Sequence, residues 1–259
     1  MSRLWSSTQL RVHLAGNALV ACVVQGRGRN WTVVRKERFA FEPGQRALAM
    51  AALRNWLAPA SRNARLSWVL GGTEVKYCLL PWAPELIDAT LRDSFAKVLF
   101  EQQFKLDSNL FEIRCSRGLY QQALVAAFVE KDLLGQIKLH ARESQRRLDT
   151  IEPAVCAVWA RFAPLLRTER GVVHLIEGDR QVIAHHDRAR ISAVAFRPFA
   201  ARGLAGLPHP LPEEKVRLFS SIPLMADPSL SGAQLFLPSR PGFDAALDTA
   251  YGFALCGAL

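Results

Sequence analysis

The stretch Leu10–Val24, LRVHLAGNALVACVV, decides the fold. Two apolar runs of strand length flank Gly16-Asn17, a pair that tolerates the positive φ of a two-residue hairpin turn. The reading is a strand over Leu10–Ala15 and a second over Ala18–Gln25. A further break at Gly26–Asn30 leads to a third strand over Trp31–Phe41. Gln45–Leu57 follows with helical spacing, and Leu48, Ala51, Ala52 and Trp56 are its expected inward face. Pro59 ends that helix. Leu66–Leu70 is then a short buried strand that runs into Gly71-Gly72.

The same order recurs in the second half. Gly171–Ile176, Arg180–His185 and Arg190–Phe196 read as three strands, with turns at Glu177–Asp179 and His186–Ala189. Val216–Ser220 is a further strand. The Pro/Gly-rich stretch Pro198–Pro212 takes the place of a helix. Asp244–Leu259 reads as an apolar closing helix. A meander followed by a crossover and a strand, met twice, is an internal duplication of topology.

An insert of about Thr73–Asp149 separates the copies. Glu74–Pro81 is strand-like. Pro84 opens a helix through Phe104, with Leu86, Ile87, Leu91, Phe95, Val98 and Leu99 expected on its inner side. Phe111–Cys115 and Ala123–Val129 are strands. Lys131–Arg147 is a helix with Leu134, Ile137 and Ala141 inward and a basic cluster of Lys138, Arg142, Arg146 and Arg147 outward. Thr150–Val155 returns as a strand to the helix Ala154–Phe162. The expected division is residues 1–72 plus 150–170 as a first lobe, 73–149 as the inserted subdomain and 171–259 as a second, shorter lobe.

Composition excludes several classes. Of 259 residues, 50% are hydrophobic and 22% charged, which is globular and not disordered. No apolar run reaches the ~18 residues of a membrane span, and the opening MSRLWSSTQLR is not expected to act as a signal peptide. Five scattered cysteines, Cys22, Cys78, Cys115, Cys156 and Cys256, point to buried free thiols in a reducing compartment and not to a disulfide frame. The formal charge of +10 favours acidic partners. No aromatic-interleaved RNA motif or zinc-finger spacing accompanies it, so nucleic acid is not the expected partner.

Two three-strand meanders with an insert in the first half resemble the actin-like, or ribonuclease-H-like, superfamily. The insert narrows this. EVKYCLLPW, LIDATLRDSFAKVLFEQQF and ALVAAFVEKDLLGQIKLHARESQRRLDTIEPAVCAVWARF resemble the PilM family of pilus-assembly proteins. There a strand ending in Leu-Pro is followed by a helix rich in Glu, a strand ending in Ala-Ala leads into a second helix, and a segment akin to Thr150–Phe162 follows. DTAYGFALCGAL is similar to that family's closing helix. The cytoplasmic domain of the secretion protein GspL is a second relative. The resemblance implies an α/β, actin-like (ribonuclease-H-like) duplicated fold with an α/β insert in the first half and a shortened second half. It further implies a cytoplasmic scaffold, peripheral to the inner membrane, in a type IV pilus or type II secretion assembly platform. Its partners would be the tail of a PilN-like single-pass membrane protein and a cytoplasmic assembly ATPase.

The departures from that pattern bear on nucleotide. ATP-binding relatives carry Asp-x-Gly-Ser and then Lys around the first turn. Here the positions read His13-Leu14-Ala15-Gly16, then Asn17, with Val20 near the Lys position. The second phosphate turn repeats Asp-x-Gly in the family, whereas this chain reads His174-Leu175-Ile176-Glu177. LFSSIPLMADPSLSG stands where a late Gly-Gly-Gly cradles adenine. Magnesium prefers carboxylate and phosphate oxygens, which imidazoles do not replace. The expectation is therefore no ATP, no other cofactor, no metal and no catalytic residue. His13 and His174 hold equivalent places, and each is read as filling a strand position on the lip of a cleft that has lost its ligand.

By the same resemblance, the membrane partner's tail would lie in a groove between the insert and the first lobe, with Trp82, Phe95, Leu99, Phe100 and Phe104 as candidate wall residues. Arg142, Arg146 and Arg147 would meet an anionic membrane surface or an acidic partner. Other signals are plainer. His185-His186-Asp187 is expected in a solvated hairpin turn. Ser61, Ser220 and Ser221 lack a nucleophile context. Gly71-Gly72 reads as an ordinary turn. Two rival functions stand beside the scaffold reading: a divergent ATP-binding actin-like protein, and a nucleic-acid-binding protein on the ribonuclease-H-like fold.

Overall fold

Three sheets carry the chain. In the computed structural model the described residues are 7–27, 30–116, 123–188, 190–199, 214–224 and 233–257. The first sheet is built from β1 (Ser7–Ala15), β2 (Ala18–Arg27), β3 (Asn30–Ala40), β4 (Arg65–Leu70) and β8 (Arg147–Pro153), in the order β3-β2-β1-β4-β8. β1 turns back on β2 through Gly16-Asn17, so that Ala15 faces Ala18. It runs parallel to β4 from Gln9 opposite Arg65 to Leu14 opposite Leu70. The crossover between them is α1 (Arg46–Leu57).

The second lobe repeats this plan. β9 (Arg170–Glu177), β10 (Arg180–Asp187), β11 (Arg190–Pro198) and β12 (Lys215–Ser220) form a sheet ordered β11-β10-β9-β12. As in the first lobe, the opening strand has its hairpin partner on one side and a parallel strand on the other. Where β8 completes the first sheet, among the described residues only a short parallel bridge stands on β12. Leu218 N–H donates to the Ala233 carbonyl at 2.8 Å, and Leu235 N–H donates to the Leu218 carbonyl at 2.7 Å. The architecture is thus a duplication with a shortened second half. Pro198–Pro212, read as loop from the sequence, lies from residue 200 onward outside the described residues, as does 225–232 of the segment opposite the adenine motif.

Between the lobes run α4 (Ala154–Leu166) and α5 (Gly252–Cys256). One continuous apolar core joins both sheets to these helices, from Leu10, Leu14 and Leu70 to Leu175, Val182, Phe219, Phe253 and Leu255. An unbroken core of this kind resists a hinge, because opening it would return apolar area to water at about 25 cal/mol per Å². The insert has its own sheet, β5 (Val75–Leu80), β7 (Leu124–Glu130) and β6 (Phe111–Cys115), ordered β5-β7-β6, with α2 (Ala89–Phe104) and α3 (Lys131–Glu143). Its separate core centres on Phe100, whose ring meets Phe104, Phe111 and Phe128 at 4.3 to 5.0 Å.

Several expectations need correction. α1 buries Ala49, Met50, Leu53 and Leu57, while Leu48, Ala51 and Ala52 face water. Apolar residues surround this helix, so spacing alone does not pick out the covered side. The helix read from Pro84 is two pieces. Pro84–Ile87 is a single 3₁₀ turn, and Asp88 caps α2 by accepting from Leu91 N–H at 2.9 Å. α2 buries Ala96 and Phe100, leaving Leu91, Phe95 and Val98 exposed. A three-stranded sheet covers only a narrow line of the helix above it. α3 ends at Glu143, and Leu133 and His140 join Ile137 and Ala141 in its buried face. The closing helix begins only at Gly252, because the Asp244 carboxylate accepts from Ala246 and Leu247 N–H and holds a turn there. Cys22, Cys78 and Cys256 are buried thiols, but Cys115 is half-buried and Cys156 is exposed.

Phe100→Ala should destabilise the protein by about 3–5 kcal/mol in urea unfolding, as a large buried ring leaves a cavity. Leu91→Ala and Val98→Ala, on the uncovered side of the same helix, should change stability by no more than about 0.5 kcal/mol.

Candidate functional site

Three turns converge where the lobes meet: Gly16-Asn17 after β1, Gly71-Gly72 after β4, and Gly178-Asp179 after β9. The parallel strands β1 and β4 deliver the first two to the same end of their sheet, and β9 delivers the third from the second sheet, at strand ends where open α/β sheets bind ligands. Here one of the protein's own carboxylates enters the junction, beside a cavity that stays open. Glu177, the last residue of β9, sends its carboxylate across to the first lobe. Its Oε2 accepts from Gly72 N–H at 2.9 Å. Its Oε1 lies 3.5 Å from His13 Nε2. Both side chains are buried, and neither Glu177 Oε1 nor His13 Nε2 has a hydrogen-bond partner among the described residues.

The glycines make this approach possible. A Cβ on Gly71 would stand 2.4 Å from Glu177 Oε2 and 2.7 Å from the Leu14 carbonyl oxygen. A Cβ on Gly72 would stand 2.4 Å from Val182 Cγ2. Two consecutive glycines at the end of a strand therefore mark a close approach of another backbone, beyond a simple reversal of the chain. Gly16 packs under Thr73, with its missing Cβ 3.3 Å from Oγ1.

His13 is a core ring, not a residue on the lip of a cleft. It is fully buried and stacks on Phe253 of α5 at 4.9 Å. Phe253 meets Phe219 of β12 edge-on at 4.8 Å, and Phe219 meets Phe162 of α4 at 5.6 Å. An aromatic chain thus runs from β1 through α5 into the second sheet and on to α4. His174 does not face His13. Its Nδ1 lies 3.3 Å from Gln181 Oε1 inside the second lobe. Burial holds His174 neutral, with its pKa lowered to about 4 despite the glutamine. Among the described residues no three His, Cys, Asp or Glu side chains gather as a metal site.

The other candidates divide. Phe100 is at the centre of the insert core and presents no surface, which removes it from any partner-binding wall. Trp82, Leu99 and Phe104 are half-buried and Phe95 is exposed. Arg142 and Arg147 are exposed, but Arg146 is buried and leaves the outward cluster. Its guanidinium donates to the carbonyls of Leu57 at 3.0 Å and Ala60 at 2.6 Å, closing the C-terminal end of α1 where free carbonyls collect. His186 lies on β10, not in a turn, and is buried edge-on against Trp159 at 5.2 Å. His140 is buried against Trp68, and burial lowers its pKa to about 4.

Sequence reading missed the Glu177 bridge and a second feature. The outer strands β5 and β11 lie at the facing edges of the insert and second-lobe sheets, and the Tyr77 and Phe196 rings stack across the gap at 5.7 Å. A cavity of about 430 Å³ opens beside this stack. The alternation of Lys76 with Val75 and Tyr77, and of Arg197 with Phe196, carried its only local signal.

No family model and no curated protein matches this sequence. Solved structures do. The chain is similar to the cytoplasmic domain of EpsL, an inner membrane component of the type II secretion system of Vibrio cholerae, with a TM-score of 0.63 at 13% identity, covering 98% of this chain and 97% of that one. It is similar to the PilM-PilN type IV pilus biogenesis complex with a TM-score of 0.56 at 12% identity, covering 75% of this chain and 62% of that one. This chain thus spans under two-thirds of the PilM chain's length. A Bacteroides thetaiotaomicron protein with an actin-like ATPase fold aligns with a TM-score of 0.48 at 11% identity, over 74% of this chain and 70% of that one. The likeness to the EpsL and PilM structures, at these identities, establishes the fold alone: the chain has the duplicated actin-like fold, and the resemblance drawn from its sequence is borne out at that level.

Glu177→Ala should cost about 1–3 kcal/mol in urea unfolding, because it leaves the buried Gly72 N–H without an acceptor. Acid should also destabilise the protein. His140 and His174 stay neutral in the fold to about pH 4, whereas the unfolded chain protonates them below about 6.5. The unfolded state then binds more protons, so stability is full above about pH 6.5 and falls as pH drops toward 4, by up to roughly 3 kcal/mol per histidine. His174→Gln should flatten that dependence between pH 6.5 and 4 in melting curves.

Proposed function

We propose that this chain is a cytoplasmic scaffold of an inner-membrane assembly platform, of the type IV pilus or type II secretion kind, which grips the tail of a single-pass membrane partner and does no chemistry of its own. The observation that carries this reading is the near-complete, two-way match in length and fold to the EpsL cytoplasmic domain, named as a component of a secretion system's inner-membrane apparatus. The PilM-PilN complex supports a partner of the PilN kind. No described helix is long and apolar enough to cross a membrane. On this reading exposed basic residues such as Arg142 and Arg147 would meet the anionic surface of the platform. A cytoplasmic assembly ATPase is a further partner on this reading.

The interlobe junction supports an adaptor without nucleotide turnover. The Gly72 N–H serves the protein's own Glu177 carboxylate. The place where ATP-binding relatives keep a metal-holding Asp carries a stacked imidazole. A triphosphate entering here would have to displace a buried carboxylate and meet its charge, and it would find no Mg²⁺ anchor on β1.

Two titrations test the proposal. A synthetic peptide copy of the cytoplasmic tail of a PilN-like single-span membrane protein, sought by genome neighbourhood, should bind this chain with about micromolar affinity in calorimetry. Mg²⁺-ATP at millimolar concentration should leave the melting temperature unchanged. A rise of several degrees would signal ligand linkage and return the chain to the ATP-binding class.

A further inference from the structure

The cavity beside the Glu177 bridge is walled by two parts of the chain. The insert contributes Lys76 of β5 and Phe104 at the end of α2. The second lobe contributes Arg180 and Val182 of β10 and Phe196 and Arg197 of β11. The cavity holds about 430 Å³, the size of a small-molecule site and far more than a trapped water needs. His13, Gly16 and Asn17, the first phosphate-turn positions by resemblance, do not line it.

Its lining is divided by chemistry. Leu175 and Val182 are buried and form an apolar floor, with Phe104 and Phe196 as ring-bearing sides. The cations stand at the rim, where Arg180 and Arg197 are exposed and Lys76 is half-buried. The two arginines come from adjacent antiparallel strands, one residue out of register: Arg180 lies opposite Pro198, and Arg197 opposite Gln181. No ion pair between described residues involves Lys76, Arg180 or Arg197. Three cations without a carboxylate partner, set around an apolar floor, call for an anion with an apolar body.

The surroundings narrow what enters. β5 and β11 pack directly on each other, with Tyr77 buried under the Phe196 ring, so neither strand edge offers a ladder to another main chain. The Gly72 N–H is taken by Glu177. Recognition therefore falls to side chains alone. An inorganic anion would leave the apolar floor unused. A triphosphate would crowd its charge against the Glu177 carboxylate in the wall.

We propose that this cavity is a binding site for a small organic anion: a compact, ring-bearing body that lies among Phe104, Val182 and Phe196, with one carboxylate or phosphate group that meets Lys76, Arg180 and Arg197. The site goes beyond the scaffold reading and does not depend on it. Its ligand would join the insert to the second lobe, because each supplies both a ring and a cation.

Titration of the whole chain with anilinonaphthalene sulfonate, a ring-bearing anion whose fluorescence rises in apolar sites, tests the proposal. The dye should bind with a dissociation constant of about 10–100 μM. Naphthoate and naphthyl phosphate should displace it, whereas acetate, inorganic phosphate and the uncharged naphthamide at the same concentration should not. Arg180→Glu/Arg197→Glu should weaken dye binding at least about tenfold, and Phe196→Ala about tenfold. The milder Arg180→Gln/Arg197→Gln should weaken it in the same direction and serves where the reversal disturbs folding. Arg142→Glu/Arg147→Glu, at exposed cations elsewhere, should leave it unchanged. Dye binding that survives both arginine variants, or that naphthamide displaces as well as naphthoate does, would overturn the anion site. Displacement by Mg²⁺-ATP at lower concentration than by naphthyl phosphate would make the cavity a nucleotide site. Displacement by acidic peptides and not by naphthoate would make it a peptide site. Either result would also overturn the proposal, and the scaffold reading would keep its own test.

Discussion

One buried carboxylate organises the junction of this protein. Glu177 ends the opening strand of the second lobe, and its side chain reaches the backbone of Gly72 at the end of β4 in the first. Everything around it is cut to fit: Gly71 and Gly72 leave the space for the approach, and His13 stands beside the second oxygen. A buried carboxylate without such partners would cost several kcal/mol. The contact therefore fixes the distance between the lobes.

The aromatic chain does with packing what Glu177 does with charge. His13, Phe253 and Phe219 pass contact from one sheet through α5 to the other, and Phe162 of α4 packs on its far end. With a shared core behind them, the lobes form one body whose surface clefts persist without ligand. A rigid body with a persistent cleft suits binding, since preorganisation lowers its ordering cost. The insert keeps a separate core around Phe100, so its outward faces can differ without disturbing the junction.

Much of the fold was legible in the sequence because its punctuation is local. Gly16-Asn17 announces the first hairpin, and the alternation of apolar runs with turn residues recovers every described strand of both lobes and the insert within a few residues. The helix faces were not legible. α1 carries apolar residues all round, and α2 carries more than its small sheet can cover, so the choice between Leu48 and Met50, or between Phe95 and Phe100, is made by tertiary contact. Arg146 misled for a similar reason. A basic residue beside other basic residues reads as surface, but this one closes the end of a helix 86 to 89 residues earlier in the chain. At the junction, the substitution of imidazoles for carboxylates was plain to see, whereas the destination of Glu177 was not: its partner lies 105 residues away, and no local pattern encodes such a pairing. The doubled glycine was the one available clue.

Amide hydrogen exchange at Gly72 tests the central claim most directly. The account predicts a slowly exchanging Gly72 N–H in the unliganded protein, unaltered by Mg²⁺-ATP, whose protection collapses in Glu177→Ala while the amides of β1 and β4 stay protected. A Gly72 amide that exchanges at the rate of an open turn, or that becomes protected only when nucleotide is added, would contradict a junction closed by the protein's own carboxylate.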